Sequence, residues 1–278
     1  MIEVIKVESK KNVKDFVMFP FELYKDCEYW VPPIINEEID AMDTNKNPVF
    51  KNAEAEFYLA YKDNKIAGRI AAIVNWVEIE EQKKNKLRFG WYDTIDDVNV
   101  SKALMDKVLE FGKSRKLEFV DGPVGFSNMD KAGLLIEGYD ELNTMITWYH
   151  YPYQKEHLNK LGFSKLAEWV EYKIKIFSAE EAPEKVKKFS KIIQERYNLK
   201  VVNFKSTKEI IPYVDKMFEL LNVTYSNLQT YVTIKQYQID FYKEKFIKYI
   251  HPDFIKCCLD ENDNLIAFLI TMPSFSRA

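Results

Sequence analysis

The segment that most constrains the fold is residues 149–176, YHYPYQKEHLNKLGFSKLAEWVEYKIKI. Pro152 can open a helix, because its ring fixes φ and the first helical turn leaves an N–H unpaired in any case. Leu158 and the leucine one turn later share a helical face, and Gly162 stands where a helix ends in the left-handed region. Over residues 169–176, apolar and charged side chains alternate, as in a strand with one buried face. The segment predicts a helix, a glycine turn and a returning strand.

Length and composition limit the classes of protein that the chain can belong to. With 278 residues it can form one large domain or two modest ones, and its net charge of −3 gives no electrostatic case for a nucleic-acid partner. Its 3 cysteines and 3 histidines show neither a disulfide framework nor the spacing of a metal site. No apolar run reaches the roughly 20 residues of a bilayer span, and no signal peptide is visible. We therefore predict a cytoplasmic protein without a membrane or nucleic-acid partner and without a bound metal.

Periodicity and turn signals predict a regular alternation of elements before the opening segment. In chain order they are a strand over residues 2–7, a helix capped by Ser9 and running toward residue 23, a short helix over 37–42, a hairpin of 55–61 and 65–74 across Asp63 and Asn64, a strand over 86–92, a helix over 100–113 with Ala103, Leu104, Val108 and Leu109 facing inward, and a strand over 117–120. The order is β-α-α-β-β-β-α-β, followed by a long loop, α and β.

Two residues of the second hairpin strand predict local features. Gly68 marks a bulge or a close backbone approach. Arg69 stands inside an apolar strand, so it needs a partner if it is buried, and a carboxylate from the loop over residues 122–153 is a candidate.

The element order, together with the Leu-Gly-Phe turn at residues 161–163, resembles the GNAT superfamily of N-acetyltransferases. The phrases GPVGFSNMDKAGLLIEGYDE and YHYPYQKEHLNKLGF are also similar to a group of tandem GNAT-like bacterial proteins, most of them without an assigned substrate. The resemblance covers residues 1–177. It implies an α/β (α+β) fold with a mixed, mainly antiparallel sheet flanked by helices.

The second half of the chain repeats the beginning of this order. Its predicted elements are a helix over residues 180–197, a strand over 200–204, a helix over 207–221, further helical segments, and a hairpin of 254–260 and 265–273. By resemblance to tandem GNAT proteins, we expect residues 178–278 to form a partial second GNAT-like unit that is incomplete at its C-terminus.

The resemblance also implies a cofactor, acetyl-CoA or another acyl-CoA, between the fourth and fifth strands. In the family its pyrophosphate lies at the N-terminus of the next helix, on an Arg/Gln-x-x-Gly-x-Gly/Ala loop. This chain has IDDVNVS at residues 95–101, and its candidate cofactor residues are Asp96, Asp97, Asn99 and Ser101. The glycines are missing and two carboxylates replace them, so helix capping by the aspartates is the alternative to cofactor binding.

The family's catalytic tyrosine is missing from its usual position. It often stands four residues before the glycine of the Leu-Gly-Phe turn, where this chain has Leu158, which has no proton to donate. His157 is one step away, or roughly 100° around the helix, and a surface or packing role is its alternative. The catalytic candidates that remain are Tyr149, Tyr151, Tyr153 and His157.

The long loop of residues 122–153 follows the fifth strand, where GNAT substrates approach by resemblance. Loops of this length in a compact domain are uncommon and often functional. Its candidate substrate-binding residues are Ser127, Asn128, Asp130 and Glu137. The alternative is a loop closed by its own hydrogen bonds, with half-buried tyrosines whose hydroxyls point outward.

The function that the resemblance implies is acyl transfer from an acyl-CoA to an unknown small-molecule amine. The cofactor site would belong to the second unit, and the first would supply substrate surface and scaffold. One alternative is a catalytically degenerate GNAT-fold binding module, and a second is aminoacyl transfer from a charged tRNA. A homo-oligomer is compatible with all three.

Overall fold

The computed structural model describes residues 1–144, 147–175, 178, 180–246, 249–274 and 276. The chain divides into two compact units. Unit 1 consists of Met1–Glu168, Gln229–Val232 and Ser274–Ala278. Unit 2 consists of Trp169–Leu228 and Thr233–Pro273. The expected assignment of residues 1–177 and 178–278 to two GNAT-like domains stays a prediction.

Unit 1 is built on a five-stranded sheet in the order β1-β2-β3-β4-β5. Its elements are β1 (Ile2–Lys6), α1 (Lys10–Leu23), α2 (Ile35–Met42), β2 (Ala53–Lys62), β3 (Lys65–Asn75), β4 (Lys86–Thr94), α3 (Val98–Ser114), β5 (Phe119–Asp121) and α4 (Pro152–Lys160). The first three pairings are antiparallel, and β4 pairs with β5 in parallel. This mainly antiparallel sheet flanked by helices is the GNAT-like architecture that the sequence predicts.

Local signals in the sequence place these elements. The Ser9 hydroxyl accepts a hydrogen bond from the N–H of Asn12 at 3.1 Å, which caps α1 as predicted. Asp63 and Asn64 both have positive φ, 52° and 63°, which is the geometry of a tight hairpin turn. Near Gly68 the register between β2 and β3 shifts, and a Cβ added at Gly68 would lie 3.1 Å from the backbone carbonyl oxygen of Asp93 and 2.9 Å from Leu104 Cδ1. The predicted bulge and close approach are both present.

Each face of the sheet carries its own core. On one face α3 contributes buried residues that include Leu104 and Val108, and on the other α1 contributes Phe16 and Val17. The prediction that Leu109 faces inward is wrong, because its side chain is 37 % exposed. The buried positions of α3 recur at the helical period, and Leu109 lies one step off that stripe.

Helix α4 ends as predicted, and the strand expected after it does not form. Gly162 has φ 89°, and the N–H of Phe163 reaches back to the carbonyl of Leu158 at 3.0 Å. Residues 169–175 contain no regular secondary structure, and Tyr172 is 81 % exposed. Ile176, the last residue of the expected strand, lies outside the described residues. Alternation supplies two faces, but a strand also needs a neighbour for its backbone hydrogen bonds, and no described strand pairs with this segment.

Unit 2 is a smaller layer of helices on a three-stranded antiparallel sheet, in the order β6-β7-β8. Its elements are α5 (Glu184–Arg196), β6 (Lys200–Asn203), α6 (Thr207–Tyr225), α7 (Gln236–Phe246), β7 (Ile255–Leu259) and β8 (Leu265–Ile270). Ile210 and Val214 of α6 pack on Ile255 and Cys257 of β7. No helix within the described ranges is long and apolar enough to cross a membrane.

Candidate functional site

A small cavity in unit 1 brings together charged and aromatic side chains from four elements and a loop. Its volume is about 20 Å³, which is close to the room that one water molecule needs. The polar lining includes Tyr24 at the C-cap of α1, Glu38 of α2, Arg69 of β3, Asp93 of β4 and Lys131 of the loop after β5. The aromatic lining is formed by Trp30, Trp148 and Tyr149, together with the Tyr24 ring.

Arg69 and Asp93 form a buried ion pair across neighbouring strands. Arg69 Nε donates to Asp93 Oδ2 at 2.7 Å, and the two residues are register partners of β3 and β4. The guanidinium also donates to the Phe16 carbonyl at 3.0 Å. The partner predicted for Arg69, a carboxylate from the loop, is therefore wrong, because Asp93 of the next strand is directly opposite.

Tyr24 completes this pair from the end of α1. Its hydroxyl donates to Asp93 Oδ1 at 2.7 Å and lies 3.2 Å from Gln154 Oε1. Burial, with the negative charge of Asp93, raises the pKa of Tyr24 well above its usual range. The phenol therefore stays protonated and serves as a fixed hydrogen-bond donor to the carboxylate.

Glu38 and Lys131 are the two remaining charges at the cavity. Glu38 Oε2 accepts a hydrogen bond from Trp91 Nε1 at 2.7 Å. The Lys131 ammonium makes no hydrogen bond to any other described residue. Burial lowers the pKa of Lys131, Arg69 lowers it further, and Glu38 and Asp93 act in the opposite direction. The cavity is thus lined by two carboxylates, by one guanidinium that is paired with Asp93, and by one ammonium that has no hydrogen-bond partner among the described residues.

Of the catalytic tyrosines predicted from the sequence, Tyr149 lines the cavity and Tyr151 and Tyr153 do not. The hydroxyls of Tyr149 and Tyr153 point inward, and a catalytic role of the three tyrosines stays a prediction. Tyr149 is 5 % exposed and donates to the Tyr139 carbonyl at 2.9 Å. Tyr153 donates to the Thr94 carbonyl at 2.8 Å, while Tyr151 precedes α4 as its N-cap residue. The expectation of outward hydroxyls is wrong for Tyr149 and Tyr153, since a buried hydroxyl needs an acceptor and backbone carbonyls supply one. Burial raises the pKa of both phenols.

His157 belongs to a separate network at the start of α3. Its Nδ1 lies 2.9 Å from Ser101 Oγ and its Nε2 lies 3.2 Å from Asp96 Oδ1. Tyr92 also donates to Ser101 Oγ at 2.8 Å. The hydrogen-bonded series of Ser101, His157 and Asp96 resembles a Ser-His-Asp triad. Ser101 is fully buried, however, so no substrate can reach its hydroxyl. His157 is buried and hydrogen-bonded, as in the packing role that the sequence offered as an alternative, and it does not line the cavity. A catalytic role of His157 stays a prediction.

The residues at the N-terminus of α3 do not fit the pyrophosphate of CoA. Asp97 caps the helix, because its Oδ1 accepts from the N–H of Asn99 at 2.9 Å. Its Oδ2 pairs with Lys62 Nζ at 2.7 Å, and the Lys62 hydrogen bond lowers the pKa of Asp97. The helix end and its nearest lysine are therefore already neutralised by a carboxylate of the chain, and the Asp96 side chain next to it is 71 % exposed. Of the two capping predictions, Asp97 is correct and Asp96 contacts His157 instead.

Side chains of α4 lie against the part of β4 that extends beyond β5. The last pairing of β5 joins Asp121 to Arg88. Further along β4, the carbonyl of Tyr92 accepts a hydrogen bond from Gln154 Nε2 at 3.3 Å, and the carbonyl of Thr94 accepts one from the Tyr153 hydroxyl. The edge where the resemblance places an acyl-CoA is therefore hydrogen-bonded to side chains of unit 1. Among the residues that the structure describes, no cluster of three His, Cys, Asp or Glu could hold a metal ion.

None of the four predicted substrate residues of the loop lines the cavity. Asp130 Oδ2 accepts from the N–H of Ser127 at 2.9 Å, and Asn128 Oδ1 accepts from the N–H of Val232 at 3.3 Å. Glu137 is exposed. The contact between Ser127 and Asp130 lies within the loop, whereas Asn128 bonds to a residue outside it. A role of the four residues in substrate binding stays a prediction.

The sequence reasoning missed Tyr24, Glu38, Asp93 and Lys131 as cavity residues. Asp93 had a usable signal, since it is the one carboxylate within two neighbouring apolar strands that also contain Arg69. Tyr24 and Glu38 come from helices whose position over the sheet no local pattern reveals. Lys131 lies in an irregular loop, where hydrophobic periodicity gives no information.

Comparison with known proteins gives two curated relatives, while no protein-family model matches the chain. Over 274 residues the chain is 25 % identical to protein YghO of Escherichia coli, a match that covers 97 % of this chain and 68 % of YghO. Over 174 residues it is 25 % identical to the bacterial ceramide synthase of Caulobacter vibrioides, covering 62 % of this chain and 45 % of that protein. The match thus spans about two thirds of the first relative and less than half of the second.

Solved structures with a similar fold include a predicted acetyltransferase and a tandem GNAT protein. The predicted acetyltransferase is from Clostridium acetobutylicum, was solved with acetyl-CoA, and matches at 15 % identity and a TM-score of 0.39, covering 62 % of this chain and 96 % of that one. The tandem GNAT protein is from the clavulanic acid biosynthesis pathway and matches at 9 % identity and a TM-score of 0.47, covering 98 % of this chain and 76 % of that one. In element order and strand pairing, the chain resembles GNAT proteins.

Proposed function

We propose that the protein is an N-acyltransferase that joins an acyl group to a primary amine, and that unit 1 holds the amine. The GNAT-like strand order of unit 1 supports this proposal. So does the similarity to a bacterial ceramide synthase, because a ceramide is a fatty-acid amide. On this basis the amine of first choice is one that carries a long alkyl chain.

The observation that carries the proposal is the composition of the cavity in unit 1. A volume of about 20 Å³ admits a group of the size of water, such as a primary ammonium or a hydroxyl, and excludes a ring. Glu38 supplies a carboxylate, and the rings of Trp30 and Tyr24 line the cavity with aromatic surface, to which a cation is attracted. The rest of the ligand would extend out of the cavity.

In this proposal, unit 1 does not bind the acyl-CoA. Asp97 occupies the helix end where a pyrophosphate would bind, and α4 covers the free edge of β4. The acyl donor is therefore held elsewhere in the protein. The contribution of unit 1 is to bind the amine, to orient it against Glu38 and to exclude water from its nitrogen.

The test is an amide-forming assay with two donors and two amines. Acetyl-CoA and palmitoyl-CoA are each incubated with a long-chain 2-amino alcohol or with ethanolamine, and the amide is measured by mass spectrometry together with released thiol. We expect amide from the long-chain amine, and at least a tenfold loss of kcat/KM in Glu38→Gln, since one carboxylate contact to an ammonium is worth about 1.4 kcal/mol or more. Glu110→Gln, on the exposed face of α3, is the control. Amide formation that is equal in wild type and Glu38→Gln would contradict the proposal.

A non-catalytic binding module is the second candidate, and two observations favour it. Asp97 fills the cofactor end of α3, and Leu158 is buried where the family's acid would stand. This candidate predicts amine binding by calorimetry with no amide product from either donor.

A further inference from the structure

We propose that the cavity of unit 1 exchanges one cation for another: a ligand's primary ammonium binds beside Glu38 as Lys131 releases its proton to solvent. The inference rests on the proposed function in placing an amine at this cavity. It goes further in assigning Lys131 a role and in coupling ligand binding to a proton.

Charged side chains face Lys131 from three elements of unit 1. The charged groups are Glu38 from α2, Arg69 from β3 and Asp93 from β4, and the neutral phenols of Tyr24 and Tyr149 also line the cavity. His150 is another titratable group within electrostatic range of Lys131, and burial keeps it neutral near pH 8 because its pKa is lowered to about 4. Arg69 and Asp93 satisfy each other at 2.7 Å, within a cross-strand pair that Tyr24 also donates to. The remaining charges are therefore one carboxylate, Glu38, and one ammonium, Lys131.

One carboxylate balances one cation. When the cavity is empty of ligand, Lys131 provides that cation. A second ammonium in a space of about 20 Å³ would place two like charges within a few ångströms, where the low local dielectric makes their repulsion costly. Loss of one proton restores the balance, and the lysine is the group that can lose it, because an arginine stays charged at all accessible pH values.

Two features make Lys131 the donor of that proton. Its ammonium makes no hydrogen bond within the described part of the chain, so deprotonation breaks none. Burial and the neighbouring Arg69 already lower the pKa of Lys131, and an incoming cation acts in the same direction. The step is a simple acid dissociation: one N–H bond of Lys131 breaks, its electron pair stays on the nitrogen, and the proton goes to solvent.

The experiment is a calorimetric titration of the whole chain with n-hexylamine, with 1-hexanol as the uncharged control ligand. Titrations at about pH 8 in buffers of different ionisation enthalpy count the protons released. We expect close to one proton per hexylamine in the wild type, and weak or no binding of hexanol.

Two substitutions of Lys131 separate its charge from its bulk. Lys131→Met removes the resident cation, so we expect hexylamine to bind at least tenfold more tightly and to release no proton. Lys131→Arg keeps a cation that is not released, so we expect at least a tenfold loss of affinity. Lys107→Met, which removes an exposed lysine from α3, is the matched control, and circular dichroism verifies folding of each variant.

The outcomes distinguish this inference from the proposed function. Proton-coupled hexylamine binding without amide formation supports the inference and defeats the function. Amide formation with no proton release, or with equal hexylamine affinity in Lys131→Arg and wild type, overturns the inference alone. Absence of hexylamine binding to the wild type overturns it as well.

Discussion

Lys62 of β2 donates to the carboxylate of Asp97 across 2.7 Å at the N-terminus of α3. The same carboxylate accepts the N–H of Asn99, so one side chain neutralises both the helix end and the nearest lysine. In an acyl-CoA site these two partners would be free to meet a phosphate. A GNAT-like strand order is therefore combined here with a helix end that binds its own chain.

Asp97→Ala tests that arrangement directly. Removing the cap should lower the free energy of unfolding by about 1 kcal/mol and raise the affinity for pyrophosphate, because a repulsive charge leaves and Lys62 becomes available. Urea unfolding and calorimetric titration with pyrophosphate and acetyl-CoA measure the two effects. Asp106→Ala removes an exposed carboxylate from the same helix and should change neither. Micromolar binding of acetyl-CoA to wild-type unit 1 would contradict the reasoning.

His150 predicts a specific loss of stability in mild acid. It is 1 % exposed, and burial lowers its pKa to about 4. Because this pKa lies below that of the unfolded chain, about 6.5, the unfolded state binds a proton first as the pH falls from 6.5 toward 4. The stabilisation is complete above about pH 6.5, and about 2 kcal/mol of it is lost by about pH 5.

The measurement for His150 is urea unfolding at about pH 7 and about pH 5, in the wild type and in His150→Gln. The variant lacks the titrating group, so its stability should fall by about 2 kcal/mol less than that of the wild type over this interval. Parallel losses in the two proteins would show that His150 titrates normally in the folded state.

Breaking the pair of Arg69 and Asp93 should be severe. Asp93→Asn leaves the buried guanidinium without its charge partner, and we expect a loss of about 3 to 5 kcal/mol in the free energy of unfolding. Replacing Arg69 by Met in the same chain removes the orphaned charge, so the double variant should be more stable than Asp93→Asn. A double variant that is less stable than the single would disprove this account.

Two leucines of α3 form a matched pair for testing the core. Leu104 is fully buried, and its Cδ1 lies 2.9 Å from the position that a Cβ at Gly68 would occupy. Leu109, in contrast, is 37 % exposed. Leu104→Ala should cost about 2 to 5 kcal/mol and Leu109→Ala less than about 1 kcal/mol, as measured by chemical unfolding. Similar costs at the two positions would mean that the inward face of α3 is the one first expected from the sequence.

Residues 169–175 show where local pattern stops being sufficient. Their alternation is as regular as that of β1, which does form a strand. The difference is that β1 finds β2 as a neighbour, register partner for register partner, and the later segment has no described strand beside it. Alternation is a property of the segment, and pairing is a property of the surrounding fold.

The sequence by itself determined the helices, most of the strands and the residues at which they begin and end. The cap at Ser9, the turn at Asp63–Asn64 and the helix end at Gly162 depend only on residues a few positions away. The sequence also determined that Asp97 would serve the helix end. Only the tertiary structure decided the candidate site. Glu38, Arg69, Asp93 and Lys131 are far apart in the chain, and the charge balance of their cavity depends on distances that arise when α2, two strands and a loop pack together.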